Sequence, residues 1–238
     1  MKVKKIGASF FTIMMGTVIL AGLTFAGEGT EKTAEEALAL LKEGNARFVA
    51  MKMEHPEETA ARREETAARR EETAVNGQGP FAIVLGCSDS RVPVEAIFDR
   101  GIGDIFTVRV AGNVAIDSSV IGSLEYGAGH LRVPLLVILG HTQCGAVAAA
   151  VSGAKLEGGL VEVQKAIEPS VKEVKMQYPD LKETALTNEA VKQNVFQVER
   201  DLRAYSPQIQ AMVAQGSLKI ALAAYDLRTG KVEWLEEI

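Results

Sequence analysis

Residues 81–91 read FAIVLGCSDSR and residues 135–145 read LLVILGHTQCG. In both, an apolar run ends at a glycine, and a side chain able to bind metal follows at once. A short apolar run bounded by turn residues has the length of a strand, and its lack of polar alternation means that both faces are covered. Ile105–Val110 and Leu218–Ala224 share the pattern. Helical stretches around Ser118–His130, Gly145–Val151, Val161–Tyr178 and Asn188–Ala204 lie between these runs or beside them. This alternation predicts an α/β fold, a mostly parallel β-sheet flanked by helices. Lys231–Leu235, after the turn residues Thr229 and Gly230, adds a C-terminal antiparallel edge strand by hairpin.

Cys87 thus follows the first strand and His141 the third. Ligand sites in open α/β sheets gather beyond the carboxyl ends of strands, so CSDSR (87–91) and HTQCG (141–145) point into one crevice. His141 and Cys144, three apart at the start of a helix, can turn to one ion, with Cys87 as a third ligand. Two thiolates and an imidazole on a divalent ion make a neutral set suited to zinc. Three protein ligands leave a fourth position for water, the mark of a catalytic site. Zinc would bring the pKa of that water toward neutrality, giving a hydroxide nucleophile. Asp89 is placed to accept its hydrogen bond, and Arg91 to hold Asp89 ionised. Released by Arg91, Asp89 could instead become a fourth ligand and close the site. Other readings of the same residues stay open: a disulfide between Cys87 and Cys144, a redox dithiol, a non-catalytic zinc site, or a merely structural Asp89–Arg91 pair.

CSDSR followed about fifty residues later by HxxCG resembles the β-class carbonic anhydrases, over roughly residues 33–235. The resemblance implies one Zn2+ per subunit and reversible hydration of CO2 to bicarbonate and a proton, by attack of zinc-bound hydroxide. A relative acting on carbonyl sulfide or carbon disulfide is the nearest rival. It also implies a homodimer or dimer of dimers in which N-terminal helices reach across a partner. Gln78 stands where the family has a glutamine that hydrogen-bonds the substrate. Phe106 and Tyr126 match pocket walls that the neighbouring subunit contributes. The Gly145 N–H is a candidate donor to a substrate oxygen. Val108–Asn113 resembles the family's RNVAN segment without matching it. A bicarbonate-gated branch carries a tryptophan three residues before the first cysteine; here that residue is Val84, and the only tryptophan is Trp234. An open, plant-like site is therefore implied, although Val92, Arg109 and Tyr126 match the gated pattern. Taken alone, Phe106 and Tyr126 also suit a core, Gln78 a turn, and His130 a helix cap or a proton shuttle.

Beyond the motifs, 238 residues suffice for one substantial domain, and 47% apolar with 24% charged residues is ordinary for a globular chain. A net charge of −5 gives no reason to expect nucleic acid or an anionic membrane as partner. Lys2, Lys4 and Lys5 precede an apolar run from Ile6 to Phe25, and Thr24 and Ala26 offer small residues before Gly27. Residues 1–26 therefore read as a cleaved secretory signal, with a bacterial periplasm as destination and no membrane association afterwards. An uncleaved anchor is the alternative, since the run approaches the ~20 residues that span a bilayer. Residues 27–79 read as an N-terminal helical arm and 80–238 as the zinc-binding core. The arm's first helix opens at Thr33 with Glu36 completing a capping box, and Gly44 weakens it as a core helix. EETAARR then occurs at 57–63 and 64–70, followed by EETA at 71–74. Each copy is nearly two helical turns, so the repeat reads as a solvated helix with Glu58–Arg62 and Glu65–Arg69 pairs. Gly86 and Gly145 are expected to permit close backbone approach around the metal.

Overall fold

The structure, a computed structural model, describes residues 30–54 and 60–238. Residues 1–26, expected to be a secretory signal, and the start of the repeat lie outside them. The elements are α1 (Ala34–Val49), α2 (Ala60–Asn76), β1 (Ala82–Cys87), α3 (Val94–Ile97), β2 (Ile105–Val110), α4 (Ser118–Glu125) and β3 (Leu135–His141). They continue with α5 (Gly145–Ser152), α6 (Leu160–Gln177), α7 (Glu183–Tyr205), α8 (Pro207–Ala214), β4 (Lys219–Tyr225) and β5 (Val232–Glu236).

The strands form one sheet in the order β2-β1-β3-β4-β5. The first four run parallel, and β5 lies antiparallel on β4. Every residue of β1 and β3 is buried, which is why their sequences show no alternation. Val84, Val137, Leu139 and Ala223 pack with α1, α3 and Phe98. Their strand neighbours Ile83, Leu85, Leu136, Ile138 and Leu222 pack with α4, α7 and α8. Each fully buried Val, Leu or Ile stabilises the fold by ~1.5–3 kcal/mol before entropy is counted. The chain steps outward from β1 to β2 and then crosses back to β3, so the strand order reverses between β1 and β3. Beyond the carboxyl ends of that pair lies the switch-point crevice of an open sheet.

The capping box of α1 is complete: the Thr33 hydroxyl accepts from the Glu36 N–H at 3.2 Å, and the Thr33 N–H donates to the Glu36 carboxylate at 2.7 Å. Gly44 has a second role beside its low helix propensity. A Cβ there would lie 1.7 Å from the Phe98 carbonyl oxygen, so the missing side chain lets α1 press onto the chain after α3. Buried Asn45 fastens the helix further, donating to the carbonyls of Ile97 (3.1 Å) and Gly230 (2.9 Å) and accepting from the Val232 N–H (2.9 Å). In the repeat helix, Arg69 reaches across to Asp104 at 2.5 Å. The Glu58–Arg62 pair lies outside the described side chains.

Three local features differ from expectation. The helix from Ser118 stops as an α-helix at Glu125, and Tyr126–His130 forms a π turn containing Gly127 and Gly129. α7 begins at Glu183 rather than near Asn188. α8 follows α7 almost directly; Ser206 caps it by accepting from the Ile209 N–H, and Pro207 occupies the first turn. Among the described residues, no helix is long and apolar enough to cross a membrane.

Candidate metal centre

Neighbouring strands set the site. β1 ends at Cys87 and β3 at His141, with Gly86 beside Leu139 in the ladder. Cys144 caps the N-terminus of α5. Between His141 and Cys144 the chain turns through Gln143, a left-handed residue with φ 53°. The Gln143 N–H donates to the Asn188 side chain of α7 at 2.9 Å. Cys87, His141 and Cys144 consequently offer ligand atoms within 4.8 Å of one another, and all three residues are buried. The two cysteines are unbridged.

The imidazole is oriented for coordination. His141 Nδ1 lies 3.0 Å from the Thr142 carbonyl, so its N–H donates there and Nε2 carries the lone pair. Nε2 is buried without a hydrogen-bond partner among the described residues. Leaving such an atom unpaired costs ~1–3 kcal/mol. A divalent cation is the partner that fits it, and a Cys–His–Cys set has the donor chemistry of zinc.

The electrostatics favour a thiolate at Cys87. The hydrogen bond from Cys144, helped by the nearby His141 ring and the Asp89 and Gly112 backbone N–H groups, outweighs burial and pushes its thiol well down. The same pairing, with burial, pushes Cys144 up. The Gly112 N–H lies 3.4 Å from Cys87 Sγ. Asp89 is gripped by Arg91 through Nε to Oδ1 (2.9 Å), Nη2 to Oδ2 (2.7 Å) and the backbone N–H to Oδ1 (3.0 Å). The guanidinium holds this carboxyl well below the usual carboxylate range. Asp89 Oδ2 stands 3.8 Å from His141 Nε2, beside the ligand cluster. Arg109, from β2, braces the loop by donating to the carbonyls of Cys87 (2.9 Å) and Asp89 (2.5 Å). Sequence reasoning gave it no such role. The signal was a lone charge inside an otherwise uncharged strand.

The remaining candidates lie elsewhere in the chain. Phe106 stands beside Ile83 in the ladder, whereas Cys87 stands beside Val110, so about 13 Å of strand separates the two levels. The Phe106 ring lies 6.0 Å from that of Tyr126, which stacks on His130 at 4.8 Å. Gln78 precedes β1 and lines a hollow of about 650 Å³ with Arg69, Thr73 and Asn76. One chain therefore brings Phe106 and Tyr126 together but sets them, and Gln78, at the opposite end of β1 from the sulfurs. Gly145 follows Cys144 at the start of α5. The expected crowding at the two glycines is absent within the chain: a Cβ on Gly145 would meet nothing within 4 Å, and one on Gly86 only Val94 at 3.6 Å. Near the ligands the close approaches fall instead at Gly112 and Gly140, where a Cβ would lie 2.8 Å from Ile167 and 2.8 Å from Val195.

Comparison with known proteins points the same way. The family described as carbonic anhydrase matches residues 82–232. Carbonic anhydrase 2 of Mycobacterium tuberculosis is 42% identical over 195 residues, covering 80% of this chain and 87% of its own. The carbonic anhydrase of Mycolicibacterium smegmatis is 38% identical over 200 residues, covering 81% and 89%. Among solved structures, the β-carbonic anhydrase CafA of Aspergillus fumigatus superposes with a TM-score of 0.64 at 32% identity, over 74% of this chain and 88% of that one. The β-carbonic anhydrase CcaA gives 0.66 at 25% identity, over 84% and 95%.

Proposed function

The chain belongs to the β-class carbonic anhydrases, a family that catalyses the reversible hydration of CO2, and from this we propose that Cys87, His141, Cys144, Asp89 and Arg91 form its hydration site. The observation that carries the reading is the buried Cys–His–Cys cluster, with an unpaired Nε2 and a carboxylate locked beside it. Cys87 Sγ, His141 Nε2 and Cys144 Sγ would hold one zinc ion per subunit. That ion supplies a Lewis acid able to bring the pKa of a water toward neutrality. Asp89 accepts a hydrogen bond from the reacting water and turns its lone pair toward CO2. Arg91 keeps Asp89 ionised and occupies both of its oxygens, which keeps the carboxylate out of the ligand set. The Gly145 N–H, at a helix N-terminus, is placed to donate to an oxygen of the product bicarbonate.

Gln78, Phe106 and Tyr126 would complete the pocket from a second copy of the chain, since their positions rule them out for the site of their own. The working unit is thus a homodimer or a dimer of dimers, exported to a periplasm by residues 1–26.

Zinc content and proton release on addition of CO2, measured from about pH 6 to pH 9 around a zinc-water pKa near neutrality, test the reading. Stoichiometric zinc with hydration is expected in the native protein, and loss of both in Cys87→Ser. Hydration that persists in a zinc-free Cys87→Ser protein would overturn it.

A further inference from the structure

Gly112 is held from two sides. It lies in a turn with consecutive left-handed residues, Gly112 at φ 65° and Asn113 at φ 46°. Its N–H donates to Cys87 Sγ at 3.4 Å, and its carbonyl accepts from Asn194 Nδ2 of α7 at 3.0 Å. The N–H belongs to the peptide before Gly112 and the carbonyl to the peptide after it, and glycine has the freest backbone of any residue, so anchoring the second peptide limits how far the first can swing. Asn194 is 1% exposed, and a carbonyl acceptor selects the amino end of its amide. Its Oδ1 finds no partner among the described residues. A side chain needed only to fill space there would do better without polar atoms.

We propose that Asn194 is a positioning residue of the metal centre, fixing Gly112 so that its N–H donates to the Cys87 sulfur. The proposal rests on the zinc reading above. A hydrogen bond to a ligating thiolate draws electron density from the sulfur and lessens its donation to the metal. Two thiolates make zinc a weaker Lewis acid than neutral ligands would, and this donor offsets part of that loss. It also fixes the orientation of the sulfur. Asn188 grips the Gln143 N–H in the other ligand loop, so one helix steadies both.

The test uses zinc-loaded and cobalt-substituted protein. Asn194→Leu keeps the branched shape in a somewhat larger side chain and removes the donor; Asn194→Ala is the second variant should the first not fold. Val198→Ala, a buried change one turn further along α7, is the control for general loosening. In the Asn194 variants the sulfur-to-cobalt charge-transfer band should move to longer wavelength as the sulfur donates more strongly, and chelator should strip zinc about 10-fold faster or more because the sulfur is no longer held in its ligating orientation. Val198→Ala should lower the thermal midpoint and leave the band in place. A folded Asn194 variant with the native band and release rate overturns the proposal, as does an equal band shift in Val198→Ala. Native protein that takes up neither metal would instead defeat the zinc reading itself.

Discussion

At Asp89 a carboxylate is bound through both oxygens by Arg91, one of whose amino groups also approaches the Gln143 carbonyl at 3.4 Å. Such a group is tuned to stay charged and immobile, which suits orienting a water better than shuttling protons. Asp89→Asn should therefore keep its zinc while CO2 hydration falls on the order of 100-fold. Equal loss of metal and rate would instead mark the residue as structural. Asp201 shows the opposite shift. Desolvation raises its pKa despite the hydrogen bond from Gln197 at 2.7 Å and nearby Arg200. A carboxyl raised in the folded state contributes stability below its unfolded pKa, and that contribution is lost as pH rises through the folded value. Asp201→Asn should accordingly melt higher than the native protein at pH ~7, with the gap closing toward the unfolded pKa of ~3.9. A gap that does not change with pH would contradict this. The three ligands were legible in the sequence because two of them share one loop and all follow strand ends. Arg109 and Asn194 were not, because their bonds to the Asp89 and Gly112 carbonyls span 20 and 82 residues of chain.

The elements differ in how openly the sequence announces them. The parallel strands were readable as apolar runs because helices cover both faces, and Thr33 with Glu36 marked the start of α1. The π turn at Tyr126–His130 was not, since its ring contacts to Phe106 and its backbone path are tertiary. The Ser206-Pro207 pair did carry the signature of a helix start and was available to be read. Gly44 was read as a weakness of α1, because propensity concerns a helix alone and not its neighbour. The two effects predict opposite signs for Gly44→Ala. Propensity would stabilise by ~1 kcal/mol, whereas a methyl forced against the Phe98 carbonyl costs about 1–3 kcal/mol or more. The obstacle is backbone and cannot swing aside, so the thermal midpoint should fall. A rise would show that α1 is free to lift away.

Across the whole molecule, the sheet carries the candidate metal ligands at the carboxyl ends of β1 and β3 and the aromatic pair Phe106 and Tyr126 near the opposite end. The geometry of one chain does not join them, and residues that served another subunit would leave no local trace. If each subunit supplies walls to a site whose ligands belong to its neighbour, defects in the two halves should complement. Cys87→Ser and Tyr126→Ala would each be crippled alone. Unfolded together and refolded as a mixture, they should regain hydration, because a hybrid pair assembles one intact centre from a sound set of ligands and a sound set of walls. Refolding separately and then pooling should recover nothing. Heredity would show the same arithmetic: a cell making both damaged versions would fare better than one making either.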